Sequence, residues 1–196
     1  MLRRSDDWVL LVDLDSKLSL PPKIVITKLR PDIVMYSNKE KMVILIELTV
    51  PWEDRFEESH QLKSAKYAGL VSDITSNGWR SQCFPVEVGT RGFPATSLRR
   101  MFLDLGFSSR KTYQGCKAAG SAAEGATQWL WHKRSDIWQT FIIAIIVRKV
   151  TVQHNSDISP TGAEFGPWQT TLKVDRTPVV VDALCCAITL MKVVPH

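Results

Sequence analysis

The nine residues Met42 to Val50, MVILIELTV, constrain this chain more than any other stretch. All but Glu47 are apolar or β-branched, and Pro51 closes the run. Apolar side chains at both alternating sets of positions mark a strand buried on both faces. Such a strand has no solvent side on which to place a charge, yet it carries Glu47. Asp32 stands similarly at the head of a second β-prone run, DIVMYS. A carboxylate entering a core is costly unless it is paired, so both positions ask for a partner.

The rest of the chain can be read around this strand. Trp8 to Asp15, WVLLVDLD, predicts a strand. Lys23 to Ser37 reads as extended, either as two strands or as one kinked at Pro31, which cannot donate to a ladder. SNKEK is a turn. After Pro51, WEDRFEESHQLKSAKYAGLVSDITSNG predicts one long helix. Acids fill its first turns, where the helix dipole favours them. Phe56, Leu62, Tyr67, Leu70 and Ile74 supply an apolar stripe, and Asn77-Gly78 stops the helix. Trp79 to Gly89 predicts another strand. PATSLRRMFLDLG predicts a helix opened by Pro and closed at Gly106, and a small-residue helix follows, ending in the basic, Trp-rich QWLWHKR. The order β-β-β-α-β-α-α implies an α/β sandwich with a mixed sheet and C-terminal helices. This domain is expected over residues 1–138. Beyond it the pattern matches neither the helical nor the strand period, so residues 139–196 are expected to be an unrelated or loosely packed tail rather than a small extra lobe.

If RPDIVMYS and KMVILIELTV pair as a hairpin about the SNKEK turn, Asp32 falls opposite Glu47. Residues directly across a strand pair lie about 4.5–5.5 Å apart at Cβ. Two carboxylates at that separation raise each other's pKa. A shared divalent cation relieves the repulsion, and hard oxygen ligands select Mg²⁺ or Mn²⁺. The bland alternative has Glu47 at the surface or paired with a lysine, and Asp32 capping a turn.

The Pro31-Asp32 pair, fourteen intervening residues and then Glu47-Leu48-Thr49 resemble the PD-(D/E)XK nucleases. The ordered series LRPDIV, VILIELTVPWEDRFEE, KYAGL, GW, PVEVGTRGF and WLW, from Trp8 to Trp138, is similar to the restriction-like endonuclease domain of site-specific non-LTR retrotransposons. The resemblance implies a restriction-endonuclease-like three-layer sandwich that hydrolyses DNA phosphodiester bonds. It implies that Asp32, Glu47 and the Leu48 carbonyl hold the metal. The superfamily's usual lysine, two residues after the acid, is Thr49 here. In the retrotransposon-type domains a lysine of the next helix takes that role, which points to Lys66 first and Lys63 second. Leu62 stands where a basic residue is expected. Both departures keep open an inactive nucleic-acid-binding domain of the same fold. The first predicted strand lies near residue 1, where related folds carry a further acid-bearing helix, and with the tail this also admits a degraded retroelement copy. A reverse transcriptase module would be encoded elsewhere.

The formal net charge of +5 favours anionic partners, nucleic acid first. From Trp79 to Arg134 nine basic residues face three acids, so the DNA surface is expected there, carried by Arg91, Arg99, Arg100, Arg110 and Lys111. Arg91, between Gly89 and Gly92, is either a phosphate contact or the partner of Glu87. Trp129 and Trp131 read as core, with base stacking as the alternative. His60 and His132 lack ligand spacing, and no chemistry is assigned to them. No cysteine pair has CxxC spacing, which argues against a zinc site or disulfide framework and for a reducing, intracellular setting, with the nucleus as one option within it. Acids interrupt the first apolar run, so it is not a signal peptide. The longest greasy stretch, Thr140 to Val147, is far short of the roughly 20 residues that span a bilayer, and the protein is expected to be soluble.

Overall fold

The computed structural model describes residues 1–13, 18–133 and 168–171, the last four and Lys133 by their backbone alone. Strand β1 is Val9–Val12, β2 is Ile33–Ser37 and β3 is Met42–Thr49. After a 3-10 turn at Glu53–Arg55 come helix α1 (Phe56–Ser76), strand β4 (Arg80–Glu87), helix α2 (Thr96–Leu105) and helix α3 (Ser109–Lys133). The protein is thus α/β, with an open mixed sheet ordered β4-β3-β2-β1. A further strand, β5 (Trp168–Thr171), pairs antiparallel with β1. The predicted domain limit at 138, Cys185 and Cys186, and the tail readings other than 168–171 lie outside the described residues.

Strands β1, β2 and β3 form an antiparallel meander, whereas β3 and β4 run parallel, with α1 as the crossover a parallel pair requires. The hairpin register is set at its turn. Lys41 takes the left-handed conformation at φ 48°, and Asp7 accepts the Lys39 amide at 2.9 Å and a hydrogen bond from the Ser37 hydroxyl. Gly106 closes α2 in the left-handed conformation at φ 98°.

Alternation along β2, β3 and β4 divides the interior into two cores. One face carries Ile33, Ile44, Ile46, Phe84 and Val86, and packs on Leu98, Met101, Phe102 and Leu105 of α2 and on Cys116, Ala119 and Ala123 of α3. The other carries Val34, Val43 and Leu45, and packs on Tyr67, Leu70 and Ile74 of α1. The small residues of α3 let it approach closely, and a Cβ at Gly115 would strike the ring of Phe102.

Two expectations change. Of the extended run Lys23 to Ser37, only Ile33–Ser37 is strand. Pro21 and Pro22 turn the chain, and Pro21's carbonyl accepts the Ile24 amide at 2.8 Å. Ile24 and Val25 fill the α1-side core from this loop. Leu62 does not belong to the apolar stripe of α1: it is 64% exposed. The buried residues Tyr67, Leu70 and Ile74, continued backwards at spacings of three and four, lead to Lys63 and His60 instead.

Candidate active site

The register Ile33↔Ile46, carried one step further, sets Asp32 opposite Glu47 and Pro31 opposite Leu48. Asp32 and Glu47 therefore share the α1 face of the sheet. Glu47 is 2% exposed. Its Oε1 takes Lys63 Nζ at 2.5 Å and Lys66 Nζ at 3.3 Å. Its other oxygen, Oε2, is buried without a hydrogen-bond partner, and so is the hydroxyl of Thr49 two residues on. Buried polar atoms are nearly always satisfied, and these two orphans lie on one face of one strand. Asp32 Oδ2 accepts the Leu48 amide at 2.7 Å. Pro31 has no N–H to offer the Leu48 carbonyl, which leaves that oxygen without its ladder donor.

Electrostatics follow from this crowding. Burial, and next the negative charge of Glu47, push the Asp32 carboxyl up to about 7 against opposing help from the Leu48 amide and the two lysines. Tyr67 lies fully buried beneath the site and donates to the Arg30 carbonyl at 3.0 Å. Burial and the Glu47 charge raise its phenol far above the ordinary range. Lys66 Nζ also sits 4.7 Å from the centroid of the Tyr67 ring. Of the two lysines, Lys63 makes the shorter contact and is the more covered, at 29% side-chain exposure against 43% for Lys66.

A second buried carboxylate lies on the same face. Thr49 pairs in register with Glu87 on β4, so Glu87 follows Glu47 diagonally across the sheet. It is 2% exposed and held by His60 Nδ1 at 3.1 Å and Ser97 Oγ at 2.5 Å. His60, to which sequence reasoning assigned no chemistry, thus joins α1 to the β4 edge. The signal that could have found it is the backward continuation of the α1 stripe. The polar half of that stripe lies over the two buried glutamates. A groove of about 500 Å³ opens here along the β4 edge between α1 and α2, lined by His60, Glu87, Ser97 and Arg100 among others.

Of the predicted DNA contacts, Arg100 alone lines the groove beside Glu87. Arg99 and Arg100 belong to α2, and Arg110 and Lys111 to α3, on the opposite side of the sheet from α1. Arg91 neither reaches Glu87 nor stands alone: its guanidinium holds Glu53 Oε2 at 3.0 Å, and this pairing lowers the Glu53 carboxyl. Gly89 makes room for that contact, because a Cβ there would collide with the Glu53 side chain. Trp131 is 65% exposed, so the core reading fails for it. Among the described residues no group of three or more His, Cys, Asp or Glu side chains could hold a metal, and no helix is long and apolar enough to cross a membrane. No protein-family model, curated protein or solved structure matches the chain.

Proposed function

We propose that this protein is a metal-dependent DNA endonuclease-like domain of retroelement origin, with a restriction-endonuclease-like fold, that hydrolyses phosphodiester bonds. The observation that carries this reading is the convergence of Asp32, Glu47, Lys63 and Lys66 at one end of the β2–β3 hairpin, with Glu47 Oε2 buried and unpartnered. Two carboxylates and a carbonyl without a ladder donor form an all-oxygen set of the kind hard divalent cations take. Asp32, Glu47 and the Leu48 carbonyl would hold Mg²⁺ or Mn²⁺. Such an ion lowers the pKa of bound water and offsets charge building on phosphate oxygens. Lys63 holds the Glu47 carboxylate in place. Lys66, the more exposed of the pair, is the donor available to a substrate phosphate oxygen. Among the basic residues of α2, Arg100 lines the groove at the β4 edge. Arg91, Arg99, Arg110 and Lys111 would contact the DNA backbone farther out.

A second reading has one specific observation in its favour. Thr49 occupies the superfamily's lysine position, and both helix lysines are engaged with Glu47. A domain of this fold that binds nucleic acid without cutting it would look the same. Supercoiled plasmid incubated with Mg²⁺, Mn²⁺ or EDTA, beside a gel-shift titration, separates the two. The endonuclease reading expects metal-dependent nicking that falls at least about 100-fold in Glu47→Gln, the scale of removing one transition-state charge stabiliser. A salt-sensitive shift with no nicking under any metal selects the binder. Neither signal removes both readings.

A further inference from the structure

A different groove, of about 630 Å³, lies between α2, α3 and the loop that precedes α2. Its volume suits a small ligand or one unit of a polymer. Ser109, Tyr113 and Lys117 line it from α3 at intervals of four, so Tyr113 and Lys117 stand one helical turn apart, about 5–6 Å at Cβ. Arg99 reaches it from α2.

Four cations elsewhere on the surface are already paired with acids. Lys39, Arg55, Arg80 and Arg91 each hold an acid, at 2.6 Å from Asp6, 2.8 Å from Glu58, 2.8 Å from Glu40 and 3.0 Å from Glu53. Arg99 and Lys117 make no ion pair among the described residues. The one carboxylate on the lining is Glu124, seven residues past Lys117 and so about 10 Å further along the helix axis. The Tyr113 side chain is a flat apolar surface left 68% exposed. Beside it the Thr112 hydroxyl is buried with no hydrogen-bond partner. The groove's wall is fixed by a glycine pair. Gly92 has φ 87°, and a Cβ on either Gly92 or Gly120 would run into the other's carbonyl.

We propose that this groove binds single-stranded nucleic acid, taking a backbone phosphate between Arg99 and Lys117 and stacking the attached base on Tyr113. A cation pair recognises any phosphate. The exposed ring one turn away adds recognition of a base, which free phosphate and acidic peptides lack. The site lies across the sheet from Asp32 and Glu47 and does not depend on cleavage there.

The test is fluorescence anisotropy of a labelled oligothymidylate of about twelve nucleotides with the full chain in EDTA, which silences any metal chemistry. Binding in EDTA is therefore separated from any metal-dependent nicking, and the loss in the variants below assigns it to this groove. Tyr113→Ala is expected to weaken binding about tenfold, the scale of losing one stacked base. Arg99→Gln with Lys117→Gln is expected to weaken it and to lower the salt slope by about 0.7, the value for one phosphate on a single strand. An oligomer of abasic sites is expected to bind more weakly than oligothymidylate, and equally to wild type and Tyr113→Ala. All three residues are polar and line an open groove, so the variants keep the fold, which circular dichroism checks. Unchanged affinity in Tyr113→Ala, or equal competition by inorganic phosphate or polyglutamate, overturns the proposal.

Discussion

The two faces of the central sheet use charge in opposite ways. On the α1 face, Asp32, Glu47 and Glu87 point inward and are met by Lys63, Lys66 and His60 from the helix above. On the other face the interior is apolar along Leu98, Met101, Phe102, Cys116, Ala119 and Ala123, with Thr112 as its buried polar exception, and Arg99, Arg100, Arg110 and Lys117 of α2 and α3 are exposed. Burying Glu47 and Glu87 and half-burying Asp32 costs desolvation that their partners only partly offset, and an apolar core of equal volume is often as stable or more so. Stability therefore does not explain the α1 face. The proposed site does, because chemistry on phosphates would need fixed charges in a place shielded from water. The same fold provides one face for apolar packing and another whose carboxylates strain against their own burial.

That contrast predicts variants of different kinds. The largest effect belongs to the apolar face, where Phe102→Ala should destabilise the protein by about 3–5 kcal/mol, equally at pH 5 and pH 8, in urea unfolding. A strong pH dependence of that loss would mean that charge is buried on both faces. A smaller effect of opposite sign belongs to the α1 face. Because burial and Glu47 raise the Asp32 carboxyl to about 7, the folded state prefers its protonated form, and wild type loses stability as pH rises from about 4 through about 7. Asp32→Asn mimics that neutral form. In EDTA it should be more stable than wild type at pH 8, by on the order of 1–3 kcal/mol, with the gap closing by pH 4. A variant less stable than wild type at pH 8 would place Asp32 in a satisfied ion pair. The smallest effect is Leu62→Arg. On a residue 64% exposed it should change stability by less than about 0.5 kcal/mol, which confirms that the inward stripe runs through Lys63 rather than Leu62.

How far the sequence reached depends on which physical rule governed each part. Strand pairing has a period of two, so once the SNKEK turn was placed, the position of Asp32 opposite Glu47 followed by counting, and the register bears it out. Gly106 as a helix stop was equally readable, since a left-handed residue without a Cβ closes a helix cheaply. Helix faces were harder. Leu62 looked like part of an apolar stripe because residue type was given more weight than spacing, whereas Lys63 and His60 occupy the stripe and are tolerated there only because Glu47 and Glu87 lie beneath. Those partners come from strands far off in sequence, so neither pairing could be seen locally. The Arg91–Glu53 pair and the anchoring of the hairpin turn by Asp7 were hidden for the same reason. The basic residues of α2 and α3 were correctly read as an excess, but which side of the sheet they occupy is a property of the crossover, not of composition.

The account turns on whether Asp32 and Glu47 grip one divalent cation between them. The direct measurement is a Mn²⁺ titration of the full chain at pH 8, followed by the electron paramagnetic resonance of free Mn²⁺. The expected result is one ion bound per chain, with affinity lowered at least about tenfold in Asp32→Asn and in Glu47→Gln. The same stoichiometry and affinity in Glu47→Gln as in wild type would contradict it.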